Sequence, residues 1–164
     1  MVFLLNQIIL LFMQLLTLDL EDDYSLVGIH STEEDYRLAY LLNNYLEIKL
    51  TRFKDNLDFK NSTAIFPLFE YRDEANYINY YLINNKHIEL VDSQHKEGLF
   101  GGNYSTTSYL IPEKKKVDFL LKIEGCNKED FIQKLVNDLN KINQIITSYS
   151  IEPITLKSKE NLIF

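Results

Sequence analysis

The sequence predicts an α+β fold, a single sheet dominated by antiparallel pairing and covered by two amphipathic helices. Two segments, one after His30 and one after Asn127, carry apolar residues at helical spacing, so each needs one face covered. Short β-rich runs separated by turn residues fill the rest, and their hairpin-like spacing favours antiparallel neighbours. Strands bracket each helix, which points to a split β-α-β arrangement with an enlarged central meander.

In chain order, Leu16, Leu18 and Leu20 alternate with Thr17 and Asp19 to predict a first strand, followed by an acidic turn at Glu21-Asp22-Asp23. That turn lacks the ligand spacing of a calcium loop. Tyr24 to His30 is β-rich and makes the second strand. Ser31 or Thr32 can then cap a helix, with Glu34 three residues after Ser31 as a capping box requires. Glu33, Glu34 and Asp35 suit the positive helix end, and Leu38, Leu41, Leu42, Tyr45 and Leu46 form one apolar stripe.

A strand resumes near Glu47 with Ile48 and Leu50. Ala64 to Tyr71 reads as another, but Pro67 has no N–H for a ladder and predicts an edge or a bulge there. Tyr77 to Ile83 and His87 to Val91 flank Asn84-Asn85-Lys86, a predicted hairpin turn. Asp92 to Ser108 is polar, holds Gly98, Gly101 and Gly102, and reads as the longest loop. Beyond it Val117, Phe119, Leu121 and Ile123 point one way, and Asp118, Leu120, Lys122 and Glu124 the other. Asn127 caps the second helix, whose apolar face is Phe131, Ile132, Leu135, Val136, Leu139 and Ile142. A strand at Thr147 to Ile151 closes the sheet, and Lys157 to Phe164 is left as a tail.

At 164 residues, with 46% hydrophobic and 25% charged content, the chain has the size and composition of one globular domain. Met1 to Leu18 is nearly all apolar, yet it lacks the basic start and small-residue cleavage site of a secretory signal. It is also shorter than the roughly 20 apolar residues that span a bilayer and is broken by Asn6, Gln7 and Gln14. The preferred reading is a domain over 13–164 that starts at Met13, with 1–12 an upstream extension; a membrane anchor is the other. A formal charge of −7 favours solubility and argues against a broad nucleic-acid footprint. Cys126 is the sole cysteine, so no intrachain disulfide forms and a reducing cytoplasm fits.

Ile111-Pro112-Glu113-Lys114-Lys115-Lys116-Val117-Asp118-Phe119 resembles the motif for which the bacterial IPExxxVDY family is named, with Phe119 where that name has Tyr. The flanking YLIPEKKKVDFLLKIEG and the helix segment Glu33 to Leu46 are similar too, so the resemblance runs from Met13 to about Ser150. It implies a cytoplasmic protein of the Bacteroidota and brings no catalytic residue, metal or cofactor with it. Read physically, Pro112 favours an extended approach, Lys114 to Lys116 is an exposed connector and Val117 begins a half-buried strand. Asp118 is then solvated or pairs with Arg37 on the first helix.

Candidate chemistry is sparse. His30 precedes Ser31, but no G-x-S-x-G elbow supports a nucleophile. His87, Glu89, Asp92, His95 and Glu97 are the one group with metal-ligand chemistry, without the H-E-x-x-H spacing. Cys126 sits just before a helix and reads as a packed thiol. Gly98 to Gly102 lacks the Lys-Ser/Thr of a phosphate loop. Tyr77, Tyr80, Tyr81 and Tyr109 beside Lys114 to Lys116 would suit stacking with single-stranded RNA, though no RNA-binding signature accompanies them. The leading expectation is a small non-catalytic protein-interaction module. An RNA-binding accessory protein and an enzyme of unrecognised type are its rivals.

Overall fold

A computed structural model describes residues 24–58, 63–91 and 104–164. The expected strand at Leu16 to Leu20, the start at Met13, the Gly98 to Gly102 stretch and Asp92, His95 and Glu97 lie outside the described residues. The elements are β1 (Tyr24–His30), α1 (Asp35–Leu46), β2 (Thr51–Arg52), β3 (Leu57–Asp58), β4 (Ile65–Phe66), β5 (Leu68–Asp73) and β6 (Ile78–Asn84). They continue as β7 (Lys86–Val91), β8 (Tyr104–Tyr109), β9 (Phe119–Glu124), α2 (Glu129–Leu139) and β10 (Thr147–Ile151).

The fold is α+β, built on a six-stranded sheet in the order β10-β1-β9-β6-β5-β2. Every pairing in it is antiparallel, so alternate strands run the same way. β9 and β10 are therefore parallel with β1 between them, and β9-α2-β10 is a split β-α-β unit. β1 and β2 are parallel as well, with three strands between them, so β1-α1-β2 repeats that unit in widened form.

Both faces of the sheet are covered. On one, Val27, Ile29, Phe69, Leu82, Phe119, Leu121 and Ile123 meet Leu38 and Leu42 of α1 and Ile132, Leu135, Val136 and Leu139 of α2. On the other, Leu26, Leu68, Ile83 and Leu120 meet Phe66, the turn residues Leu110, Ile111 and Val117, and Leu156 and Leu162 near the end of the chain. This second core overturns two expectations. Val117 does not share a face with Phe119, because it precedes β9 and packs under the opposite side. The segment 157–164 is no loose tail, since its Leu162 is fully buried.

Four local expectations are also corrected. Asn84-Asn85-Lys86 does not close a hairpin: β6 pairs with β5 and β9, whereas β7 leaves to pair with β8 in a separate ribbon. That ribbon places β8 inside the stretch read as a loop. The helices begin later than predicted, after Glu34 and Lys128, and the Ser31 oxygen accepts from the Glu33 N–H at 3.2 Å ahead of α1. Pro67 acts more sharply than a bulge, ending β4 in one small sheet and starting β5 in the large one.

Two asparagines finish the sheet. Asn43 of α1 bonds both main-chain groups of Leu50, its Nδ2 donating to the carbonyl at 3.0 Å and its Oδ1 accepting from the N–H at 2.7 Å. Asn140, just after α2, does the same to Ser148 of β10, at 3.1 and 2.7 Å. The N–H and C=O of an antiparallel residue point to the same side, so those of Ser148 face away from β1, where a further strand would lie.

Gly125 follows β9 with φ +83°, and a Cβ there would sit 2.1 Å from the carbonyl oxygen of Tyr77. Gly125→Ala is expected to lose about 1–3 kcal/mol from the backbone conformation alone, read by urea unfolding. A loss under about 0.5 kcal/mol would show that the turn relaxes freely.

Candidate functional site

The motif residues converge on a side chain that the sequence marked only as a turn. Asn85 is fully buried at the crossover from β6 to β7. Its Oδ1 accepts from the N–H of Ile111 at 2.8 Å, and its Nδ2 donates to the carbonyls of Lys114 and Val117, both at 2.9 Å. Its main chain adds two more bonds, from its N–H to the Asp118 carbonyl and from the Leu110 N–H to its own carbonyl. One amide thus supplies hydrogen bonds that the buried ends of this tight turn, Ile111 and Val117, cannot make within it.

Around that turn each motif residue has a structural partner. Ile111 is buried in the second core, and Pro112 opens a one-turn 3-10 helix over Pro112–Lys114. Glu113 accepts from the Ser158 N–H at 2.8 Å and from its hydroxyl at 3.0 Å. Val117 packs against β1 where Gly28 leaves room, since a Cβ there would stand 3.2 Å from a Val117 methyl. Asp118 accepts from the Ser31 N–H at 3.1 Å and pairs with Lys86. Phe119 lies buried under the helices. Arg37, the partner expected for Asp118, instead pairs with Glu33 one helical turn away at 3.0 Å. Lys86 reaches Asp118 because the crossover at Asn85 delivers it there.

A second cluster lies on the same face. Lys122 of β9, on the face opposite Phe119, is only 4% exposed. Its ammonium donates to the Leu162 carbonyl at 2.8 Å, pairs with Glu124 at 2.6 Å, and stands 4.6–5.5 Å from the ring centres of Tyr24, Tyr81 and Phe164. Buried ammonium groups need such carboxylate, carbonyl and π partners. The Tyr81 hydroxyl donates to Glu124 at 3.3 Å. Burial raises the Tyr81 phenol, and the Glu124 charge adds to it.

Burial alone would raise the Glu124 carboxyl, but the hydrogen bond and charge of Lys122, with Asn79 and Tyr81, hold it below the ordinary 4.5. Glu113 follows the same pattern, with burial outweighed by the bonds from Ser158 and the neighbouring main chain. A carboxylate depressed on folding stabilises above its unfolded value, and that contribution is lost as pH falls through the folded value. The wild type should therefore lose stability as pH falls below about 4.5, and Glu113→Gln with Glu124→Gln should flatten that slope. Parallel unfolding curves for the two proteins from neutral pH to pH ~3 would refute the assignment.

The other candidates are dispersed. The His30 ring stacks on Tyr149 at 5.7 Å, while the Ser31 hydroxyl donates to the Gln144 carbonyl at 2.8 Å, so the two form no nucleophile–base pair. His87 meets the Phe66 ring edge-on, and Glu89 accepts from the Thr63 hydroxyl. Among the described residues no three metal-ligand side chains gather. Cys126 is half-buried, and its carbonyl accepts from the Ser25 hydroxyl at 3.2 Å. Tyr80 and Tyr81 enter opposite cores, so the four tyrosines share no stacking surface. Among the described residues no helix is long and apolar enough to cross a membrane. Comparison with family models, with curated proteins and with solved structures finds no match.

Proposed function

We propose that the chain is a non-catalytic protein-interaction module of the cytoplasm and a member of the IPExxxVDY family. The family reading rests on Ile111, Pro112, Glu113, Val117 and Asp118 at the motif's spacing, with Phe119 departing from it, and the cytoplasmic reading on the lone cysteine and acidic charge. The interaction reading is carried by the β7–β8 ribbon. Ile88 and Leu90 project from one of its faces, 63% and 80% exposed, opposite the uncharged Thr107 and Ser105. Large apolar side chains side by side on a projecting ribbon are the usual material of a contact surface.

The test is affinity capture from native lysate with wild type and Leu90→Asp side by side, treated with nuclease and read by mass spectrometry. A partner held by wild type and lost by Leu90→Asp supports the module. RNA that washes off with salt would favour the accessory RNA-binding role, for which the Lys115 ammonium 5.9 Å from the Tyr109 ring is the one specific observation. A tightly held small molecule or metal would favour an enzyme.

A further inference from the structure

The segment that follows β10 is attached to the sheet in an unusual way. Its main-chain bonds are local, from Asn161 N–H to Ser158 and from Ile163 N–H to Glu160, and among the described residues no strand ladder joins it to the body. What holds it is side chains: Glu113 on Ser158, the Asn161 amide on the Leu110 carbonyl at 2.8 Å, and Lys122 on the Leu162 carbonyl. Leu162 fills the second core, and the Phe164 ring meets Tyr81 edge-on at 5.2 Å. Beside it a concavity of about 230 Å³ remains open, with Phe53, Leu57, Leu68, Tyr81 and Phe164 on its apolar side and Asp55, Asn56, Glu70 and Arg72 on its polar side.

We propose that this face of the sheet is a peptide-binding groove, occupied in cis by residues 158–164, which turn through a short 3-10 helix at Lys159–Leu162, and opened to a partner peptide of the same chemistry and turn. The occupant seen defines the ligand: a buried branched aliphatic residue, an aromatic residue two positions later, and a main-chain carbonyl offered to the Lys122 ammonium. Glu113 then receives the N–H and hydroxyl of a serine four residues before the aliphatic one. Exchange is feasible because a segment bound through side chains can leave without breaking a ladder, and local opening of this kind needs less free energy than global unfolding. The groove deepens the interaction reading and rests on it, with the partner's peptide displacing the chain's own.

Hydrogen exchange on the full chain tests the opening without any partner. The Asn161 and Ile163 amides should exchange at least about 100-fold faster than those of β9. Equal rates would overturn the groove while leaving the Leu90→Asp capture to judge the interaction reading. A synthetic peptide spanning Ser158 to Phe164 is then added to full-length Phe164→Ala, with Ile163→Ala as the variant that keeps the buried contacts. Saturable binding to Phe164→Ala that Lys122→Met weakens at least tenfold supports the site. No binding to either variant overturns it, as do dimers formed by exchange of the segment between copies, which would make a second copy the occupant.

Discussion

Asn85→Ala should lose about 3–5 kcal/mol of stability, more than any surface change in the chain. The substitution removes three side-chain bonds at a fully buried position and leaves the Ile111 N–H and the Val117 carbonyl without the partner each has there. An orphaned buried group costs about 1–3 kcal/mol, and the Lys114 carbonyl suffers less because it also accepts from the Val117 N–H. Asn85→Asp is the informative companion. It keeps an acceptor for Ile111 but turns two donors into repulsion against carbonyls, so it should be no better than alanine at neutral pH. Urea unfolding of the three proteins decides, and a loss under about 1 kcal/mol for Asn85→Ala would mean that water or a shifted turn replaces the amide.

Phe119→Ala is expected to cost a similar amount, about 3–5 kcal/mol, while Lys115→Ala should stay within about 0.5 kcal/mol. Phe119 is buried between the sheet and both helices, so its removal loses transfer free energy and leaves a cavity that a sheet pinned on both faces cannot collapse. Lys115 is exposed beside Tyr109 and holds nothing else in place. Equal and small effects at the two positions would remove the motif strand from the core.

The α+β class was legible because its signals are local. The stripes of α1 and α2, the β-rich run of β1 and the alternation of β9 each arise within a dozen residues, and Thr147 to Ile151 matches β10 end to end. The covering of the second face was not legible. Alternation shows that Leu120 and Lys122 share a side, yet it cannot show that residues 110–117 and 156–164 return to bury that side. Asn85 was misread for a physical reason: an asparagine in a tight reversal and one that bonds a distant turn have the same local sequence. The partner of Asp118 was missed likewise, since Lys86 comes near only once the crossover is known. The start of α1 was misplaced: the Ser31 oxygen does accept from the Glu33 N–H at 3.2 Å while its hydroxyl donates to Gln144, a residue 113 positions away, but the helix itself begins only at Asp35.

Asn43 and Asn140 have a consequence for the chain among its own copies. A sheet ends in two rows of unmet N–H and C=O groups, and in a crowded solution those rows act as templates on which another molecule can add its own strand. β10 would be a ready template, since Thr147 to Ile151 carries no charge, no proline and no bulge. Here the amide of Asn140 already stands in the register of the absent neighbour at Ser148, and that of Asn43 does the same at Leu50. An incoming strand would have to displace these amides before it could pair at Ser148 or Leu50. Asn43→Ala with Asn140→Ala should therefore leave the protein folded but turn a clear concentrated solution into one that scatters light and binds thioflavin. The same two amides that complete the ladder make the protein resistant to amyloid-like growth from its rims.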